Sequence, residues 1–147
     1  MKRIHFQIKN SILINKSIEE VWDYTQNYAN RSKWDLSIIN YNTIQLSPHR
    51  MVQLYLRDGT EMKLIYKSDE RPFKTSLIAT DIKSWYLFKA GGHWSYKLVT
   101  GQTLWTQTNA IQLKPKFILK ILSPIFKISF YFIVKHAMQK AKRNLEQ

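Results

Sequence analysis

The chain has 147 residues, 44% of them hydrophobic and 14% aromatic, with four Gly, four Pro and no Cys. That length supports one core from end to end, and the composition excludes disorder, collagen-like repeats, disulfides, thiolate catalysis and Cys-type zinc sites. The formal net charge of +13 is unevenly placed: no Asp or Glu lies between Ile82 and Leu145, so the second half is the basic half. Such a field attracts phosphate-rich partners.

Met1-Lys2-Arg3 leads into the alternation Ile4-His5-Phe6-Gln7-Ile8-Lys9 rather than a continuous apolar run. A first strand is therefore expected over Ile4 to Ile14, with a shift or bulge near Asn10-Ser11, and no signal sequence is read. A cytoplasmic location is expected. Ser17-Ile18-Glu19-Glu20 is a capping box that starts a helix, with Ile18, Val21 and Trp22 as its buried stripe. Thr25 interrupts the stripe, and Tyr28 and Ala29 resume it. Asn27 to Ser32 predicts a second short turn of helix that delivers Trp34.

From Leu36 to Pro115, runs rich in Ile, Val, Thr, Tyr and Trp alternate with turn residues, the pattern of an antiparallel meander. Strands are predicted over 36–46, 50–57, 60–69, 75–81, 84–99 and 102–114. Ser47-Pro48-His49, Asp58-Gly59, Arg71-Pro72 and Thr100-Gly101 are the connections, with Asp58-Gly59 read as a two-residue hairpin loop that needs φ > 0. Gly91-Gly92, inside a long run, predicts a bulge or sharp bend. Alternation turns Val52, Leu54 and Leu56 inward, and likewise Met62, Leu64 and Tyr66, and Trp94, Tyr96 and Leu98. In the last strand the sets Leu104-Thr106-Thr108-Ala110 and Trp105-Gln107-Asn109-Ile111 are equally apolar, and both faces stay open.

After Pro115 a helical period holds for roughly thirty residues, about 45 Å at about 1.5 Å per residue. Pro124 is expected to kink or offset it. Lys116, Lys120, Lys127, Lys135 and Lys142 share roughly a third of its circumference at about 3.6 residues per turn. Most of the rest of the surface up to Val134 is Ile, Leu and Phe, and is expected to be used up inside the fold; the alternative is an in-plane amphipathic helix with the lysine stripe on anionic lipid and Phe126, Phe130 and Phe132 in the interface. As a membrane span the segment is poor, since Lys120, Pro124 and Lys127 interrupt it.

The order of strand, two short helices, six antiparallel strands and long terminal helix resembles the START-like superfamily, within it the polyketide cyclase/dehydrase and lipid-transport group. The resemblance spans essentially the whole chain. It is carried by Ile12-Leu13-Ile14-Asn15-Lys16-Ser17-Ile18-Glu19-Glu20-Val21-Trp22-Asp23, by Trp34-Asp35, and by Thr103-Leu104-Trp105-Thr106-Gln107-Thr108 leading to Leu113-Lys114-Pro115. It implies an α+β helix-grip fold over residues 1–147, a curved antiparallel sheet of about seven strands around the C-terminal helix. It also implies a cavity between sheet and helix, used in different members for sterols, phospholipids, plant hormones or aromatic polyketides. Members include carriers, sensors and enzymes, and the fold alone does not choose among them.

If the faces are assigned correctly, Trp34, Leu54, Leu64, Tyr66, Trp94, Tyr96, Ile125 and Phe126 converge between sheet and helix as a ligand-binding set, with phenol and indole groups as polar anchors. A hydrophobic small molecule is the expected partner, held by a carrier or sensor. The alternative is an aromatase/cyclase-type enzyme acting through Tyr66, Tyr96 or Arg57. Lys116, Lys120, Lys127 and Lys135 would meet an anionic membrane surface or nucleic acid, although no recognised nucleic-acid-binding motif is present. No cofactor is implied: His5, His49, His93 and His136 lack metal-ligand spacing, there is no glycine-rich phosphate loop, and Asp69-Glu70 point apart as a solvated turn.

Overall fold

The computed structural model describes residues 2–147. Strand β1 (Ile4–Ile14) is followed by helices α1 (Ile18–Gln26) and α2 (Tyr28–Arg31). Then come β2 (Ile38–Gln45), β3 (Met51–Leu56), β4 (Glu61–Glu70), β5 (Lys74–Lys83), β6 (Leu87–Val99), β7 (Gln102–Leu113) and the terminal helix α3 (Phe117–Glu146). The strands form one antiparallel sheet in the order β1-β7-β6-β5-β4-β3-β2. The meander is built from consecutive hairpins, and only β1 must travel, pairing with the last strand.

Local chemistry accounts for most boundaries. Ser17 Oγ accepts from the Glu20 amide at 3.2 Å while Glu20 Oε2 accepts from the Ser17 amide at 3.0 Å, so two orphan donors of α1 are satisfied. The serine bonds hold the Glu20 carboxyl below its ordinary pKa. At the β6–β7 turn, Thr100 (φ 51°) and Gly101 (φ 79°) are both left-handed, as a two-residue hairpin loop requires. The Asp58-Gly59 connection is longer than expected, four residues from Arg57 to Thr60, and only Gly59 (φ 90°) has positive φ. There Asp58 Oδ1 accepts from the Thr60 amide at 2.9 Å, so a side chain closes part of the turn.

Three sequence expectations need correction. No shift occurs near Asn10-Ser11: β1 pairs with β7 without a break from Ile4↔Leu113 to Ile14↔Thr103. Asn10 is a buried inward residue whose Nδ2 donates to the Tyr131 carbonyl at 3.5 Å, so a polar side chain on the core face imitated a phase change. Of the bulge or sharp bend expected at Gly91-Gly92 the bulge is absent, because both glycines stay in register with β7 and the irregularity lies between Leu87 and Lys89, while pairing with β5 ends at Gly91. Gly92 is there for space: a Cβ would lie 2.6 Å from the Thr108 carbonyl oxygen. Finally, Leu98 follows the inward phase of Trp94 and Tyr96 but is exposed, on a stretch of β6 that has no β5 partner beyond Ser95. In β7 the open choice resolves to the odd residues, with Thr103, Trp105 and Gln107 buried.

Helix α3 runs continuously through Pro124. Proline leaves the carbonyl four residues back without its amide partner, and Ser123 Oγ donates to that Lys120 carbonyl at 3.0 Å. The C-terminal half of the helix is seated firmly, with Ala137, Met138 and Ala141 buried among Trp22, Trp34, Trp94 and Trp105. The other half is not used up inside the fold: Leu119 is buried and Phe126 and Phe130 pack partly, but the remaining apolar surface faces outward.

Gly92→Ala should destabilise the fold by about 1–3 kcal/mol through overpacking against β7, more than Gly91→Ala, whose Cβ would sit 3.1 Å from the Leu77 carbonyl oxygen. Urea unfolding midpoints of the two variants check the order. Equal losses would mean that Gly92 is not constrained by contact with β7.

Candidate functional site

A cavity of about 190 Å³ lies between the concave face of the sheet and α3. Its floor is Leu54, Leu56, Met62, Leu64, Leu77 and Ala79 from β3, β4 and β5, and Phe130 and Val134 of α3 close it from above. Ala90, Gly91 and Gly92 of β6 form one wall, and the small inward-facing Ala90 and Gly92 leave space there. The volume is slightly above the roughly 150 Å³ apolar cavity that accepts a benzene ring, and below a lipid-sized site.

The polar part of the wall is concentrated. Arg31, at the end of α2, sends Nε to Asp35 Oδ2 at 3.2 Å, an i,i+4 ion pair with both side chains nearly buried (11% and 13% exposed). Asp35 Oδ1 accepts from Ser37 Oγ at 2.6 Å and from the Ser37 amide at 3.2 Å, so the carboxylate is fixed from its other side. The guanidinium lies 4.8 Å from the Trp34 ring, 4.7 Å from Trp94 and 5.3 Å from Tyr28, which is a cation–π cage. Burial pulls the Arg31 pKa down, but Tyr28 and Asp35 outweigh it and leave it above its ordinary value. Among the described residues Nε is the only Arg31 nitrogen with a hydrogen-bond partner, so its outer N–H groups remain for a guest at the cavity wall. Gln107 and Asn109 add amides on β7, with Asn109 Nδ2 donating to Gln107 Oε1 at 3.3 Å.

The eight residues expected to converge separate into three groups. Leu54, Leu64 and Trp94 line the cavity. Trp34, Tyr66 and Tyr96 are buried but fill space beside it, and Phe126 packs against Tyr86 at 5.3 Å between ring centroids. Ile125 is 60% exposed and points away from the sheet, because neighbouring residues on a helix diverge by about 100° and Phe126 takes the inward direction. Ile125 borders a separate groove of about 290 Å³ with Trp85, Tyr86 and Ile133. A shallower depression of about 440 Å³ at His5, Gln7, Lys89 and Gln112 lies across β1, β7 and β6, away from the sheet–helix interior near Arg31.

The tyrosines expected to carry proton transfer are fully engaged elsewhere. Tyr96 Oη accepts from Gln26 Nε2 at 2.8 Å and lies 2.7 Å from Thr25 Oγ1, whose own hydrogen goes to the Val21 carbonyl at 2.8 Å. Tyr96 is therefore the donor to Thr25. Tyr66 and Tyr28 share a hydroxyl pair at 2.6 Å, with the Arg50 guanidinium 3.7 Å above the Tyr66 ring. Arg57 is exposed and donates to the Leu36 carbonyl at 2.9 Å, outside the cavity. Burial raises the pKa of Tyr66, Tyr86 and Tyr96 above the ordinary phenol value, so none is a base near neutrality.

Arg31 was not singled out by sequence reasoning, and Asp35 and Gln107 entered only within the motifs that carry the resemblance, not as site residues. The available signal was an Arg and an Asp four apart, flanked by Tyr28 and Trp34, at the end of a polar stretch read as a short turn of helix.

No family model matches the chain, and no curated protein matches it. Solved structures do. TTHA0849 from Thermus thermophilus superposes with a TM-score of 0.82 at 8% identity, over 95% of this chain and 96% of that one. The Zhui aromatase/cyclase from Streptomyces sp. R1128 gives 0.76 at 8%, over 97% and 94%. A START superfamily protein from Mycobacterium smegmatis gives 0.72 at 12%, over 96% and 97%. The fold is START-like. At such identities the likeness fixes the helix-grip architecture and leaves the chemistry to the residues of this START-like chain.

Because the folded pKa values of the three buried phenols lie above the unfolded value of about 10, the stability they confer is complete below about pH 10 and is lost as the pH rises through the folded range. Phenolate absorbance and urea midpoints measured together should show unfolding accompanying their ionisation. Phenolate forming near pH 10 with the fold intact would contradict their burial. Thr25→Val, which leaves the Tyr96 hydroxyl without its acceptor, should cost about 1–3 kcal/mol.

Proposed function

We propose that this protein binds a small, mainly apolar molecule bearing an anionic or carbonyl oxygen, in the cavity between sheet and α3, as a carrier or sensor. The observation that carries the reading is Arg31, a charged guanidinium nearly withdrawn from water at the wall of an otherwise apolar space, with N–H groups that no other side chain or carbonyl engages among the described residues. Its aromatic cage and its single carboxylate partner hold it ready for an incoming acceptor. The START-like fold supports a hydrophobic ligand of this class, and the cavity volume favours one ring or a short chain segment over a whole lipid.

Magnitudes agree with a modest affinity. A ring-sized guest that buries roughly 120 Å² gains about 3 kcal/mol at about 25 cal/mol per Å². A charge-assisted hydrogen bond from Arg31 adds about 1.5–3 kcal/mol. Together, at about 4.5–6 kcal/mol, these correspond to a dissociation constant of roughly tens to hundreds of micromolar. The carrier or sensor reading is preferred over aromatase/cyclase chemistry because Tyr66, Tyr96 and Arg57, the groups expected from sequence to carry proton transfer, sit outside the cavity and are already hydrogen-bonded, and the Asp35 carboxylate at its wall is held by Arg31 and Ser37.

Native mass spectrometry of the purified chain, followed by solvent extraction, should recover a bound small molecule chemically unchanged. Arg31→Gln should weaken its retention at least about tenfold, the loss of one charge-assisted bond, and Ala79→Leu, which fills the cavity, should abolish it while circular dichroism remains native. Retention unaffected by both variants would place the ligand elsewhere and end this reading; conversion of the ligand would replace it with the enzymatic one.

A further inference from the structure

The apolar surface of α3 that the sheet does not cover is the largest feature left unexplained by the cavity. Phe117, Ile118, Ile121, Ile125, Ile128 and Phe132 are each between 46% and 69% exposed. At about 100° per residue these six fall within an arc of roughly 100°, centred about 150° from the face that carries Leu119, Phe126 and Phe130 onto the sheet. A solvated helix does not place six large aliphatic and aromatic side chains on its outer face without a partner for them. Among the described residues α3 is also the one helix long and apolar enough to cross a membrane, with almost none of its apolar stretch buried.

Charge selects the partner. The arc beside the apolar one carries Lys116, Lys120, Lys127, Lys135 and Lys142, and no carboxylate occurs along α3 before Glu146. Asp58, at the border of the groove next to Ile125, is engaged by the Tyr86 hydroxyl. A second copy of this face would bring more lysines and no acid to answer them, whereas an acidic bilayer answers the lysines with headgroups and the isoleucines with acyl chains. A crossing is disfavoured, because the opposite side of the same helix is tied to the protein through Leu119, the contact of Phe130 with Phe6 at 6.2 Å between ring centroids, and the Asn10 bond to the Tyr131 carbonyl.

We infer that the N-terminal half of α3 is a membrane-docking surface that lies in the plane of an anionic bilayer, with Ile121, Ile125 and Ile128 at acyl depth and Lys120 and Lys127 at the headgroups. This surface is independent of what the cavity holds, and its test uses residues that do not line the cavity.

Cosedimentation of the full chain with phosphatidylcholine vesicles, plain or containing phosphatidylglycerol, reads the binding. Strong binding is expected only to the anionic vesicles and should fall as salt rises. Ile121→Asp/Ile125→Asp, at solvated positions, should weaken it at least about tenfold with native circular dichroism. Lys120→Gln/Lys127→Gln should weaken it roughly twenty-fivefold, about fivefold for each lysine near the surface. Lys67→Gln/Lys97→Gln removes the same charge from outward positions on the sheet and should have little effect. Because the chain has no cysteine, Ile128→Cys carries a single environment-sensitive fluorophore, whose emission should shift to the blue on anionic vesicles.

Equal losses from the two lysine pairs would reduce the effect to net charge and overturn the assignment. So would a dimer in solution that dissociates in Ile121→Asp/Ile125→Asp, or expressed protein that resists extraction from membranes by alkaline carbonate. Failure here leaves ligand retention by the Arg31 cavity intact, so the two readings fall separately.

Discussion

Five aromatic rings hold α1 and the segment after α2 onto the sheet, and those two pieces have little other reason to stay in place. Trp34 meets Trp105 edge-on at 5.5 Å, Trp94 meets Trp105 at 5.4 Å, Tyr96 stacks on Trp105 with an interplanar angle of 6°, and Trp22 packs on Tyr96 at 5.0 Å. These rings join α1, the segment after α2, β6 and β7. Each such contact adds about 0.5–1.5 kcal/mol beyond the area it buries. The arrangement also carries a cost, because the indole nitrogens of Trp34 and Trp105 are buried with no hydrogen-bond partner among the described residues. An unmet donor costs about 1–3 kcal/mol, so the packing of the cluster has to outweigh that loss. Ala137 and Ala141 let the backbone of α3 come close to the rings, and Met138 fills the gap that remains.

The cluster divides the hollow of the sheet into a solid end and an open end. Beneath α1 and the last turns of α3 the large rings leave no room. Toward β3, β4 and β5 the inward residues are Leu54, Leu64, Leu77 and Ala79, and across from them β6 contributes Ala90, Gly91 and Gly92. Gly92 is fixed by the nearness of β7, so a constraint on strand packing also leaves empty the volume that a side chain would have occupied. The cavity is thus a by-product of the close strand contact, and Arg31 stands where the aromatic end gives way to the open end. Its contacts with Trp34 and Trp94 belong to the cluster, while its spare donors belong to the cavity.

Most of the fold was legible because period and punctuation agree along the chain. The capping box at Ser17, the paired left-handed residues at Thr100-Gly101 and the alternation of Val52, Leu54 and Leu56 each specify a local geometry, and no tertiary contact overrides them. Errors arose where a residue's polarity hid its direction. Asn10 and Gln107 face the core yet read as solvent-facing, the first suggesting a shift in β1 and the second leaving the faces of β7 undecided. The site was legible at Leu54, Leu64 and Trp94, where alternation fixes the face. It was not legible at Arg31, whose burial depends on rings brought from positions 34 and 94, nor at Tyr66 and Tyr96, where sequence places a ring inward without saying whether it lines a space or fills one.

The terminal helix shows the same limit in sharper form. Composition distinguishes side chains that avoid water from those that seek it, but it does not name the apolar phase that receives them. Past Ala137 the helix carries its small residues on one face and is received by tryptophans. Before Val134 it is apolar on nearly every side except the lysine stripe, and the sheet has only one concave face to offer. That face takes Leu119, Phe126 and Phe130, and geometry forbids it from taking Ile121, Ile125 and Ile128, which lie on the far side of the same turns. A helix lying over a sheet can bury one stripe against it, so a second apolar stripe is surplus to this fold and has to be accounted for by something outside it.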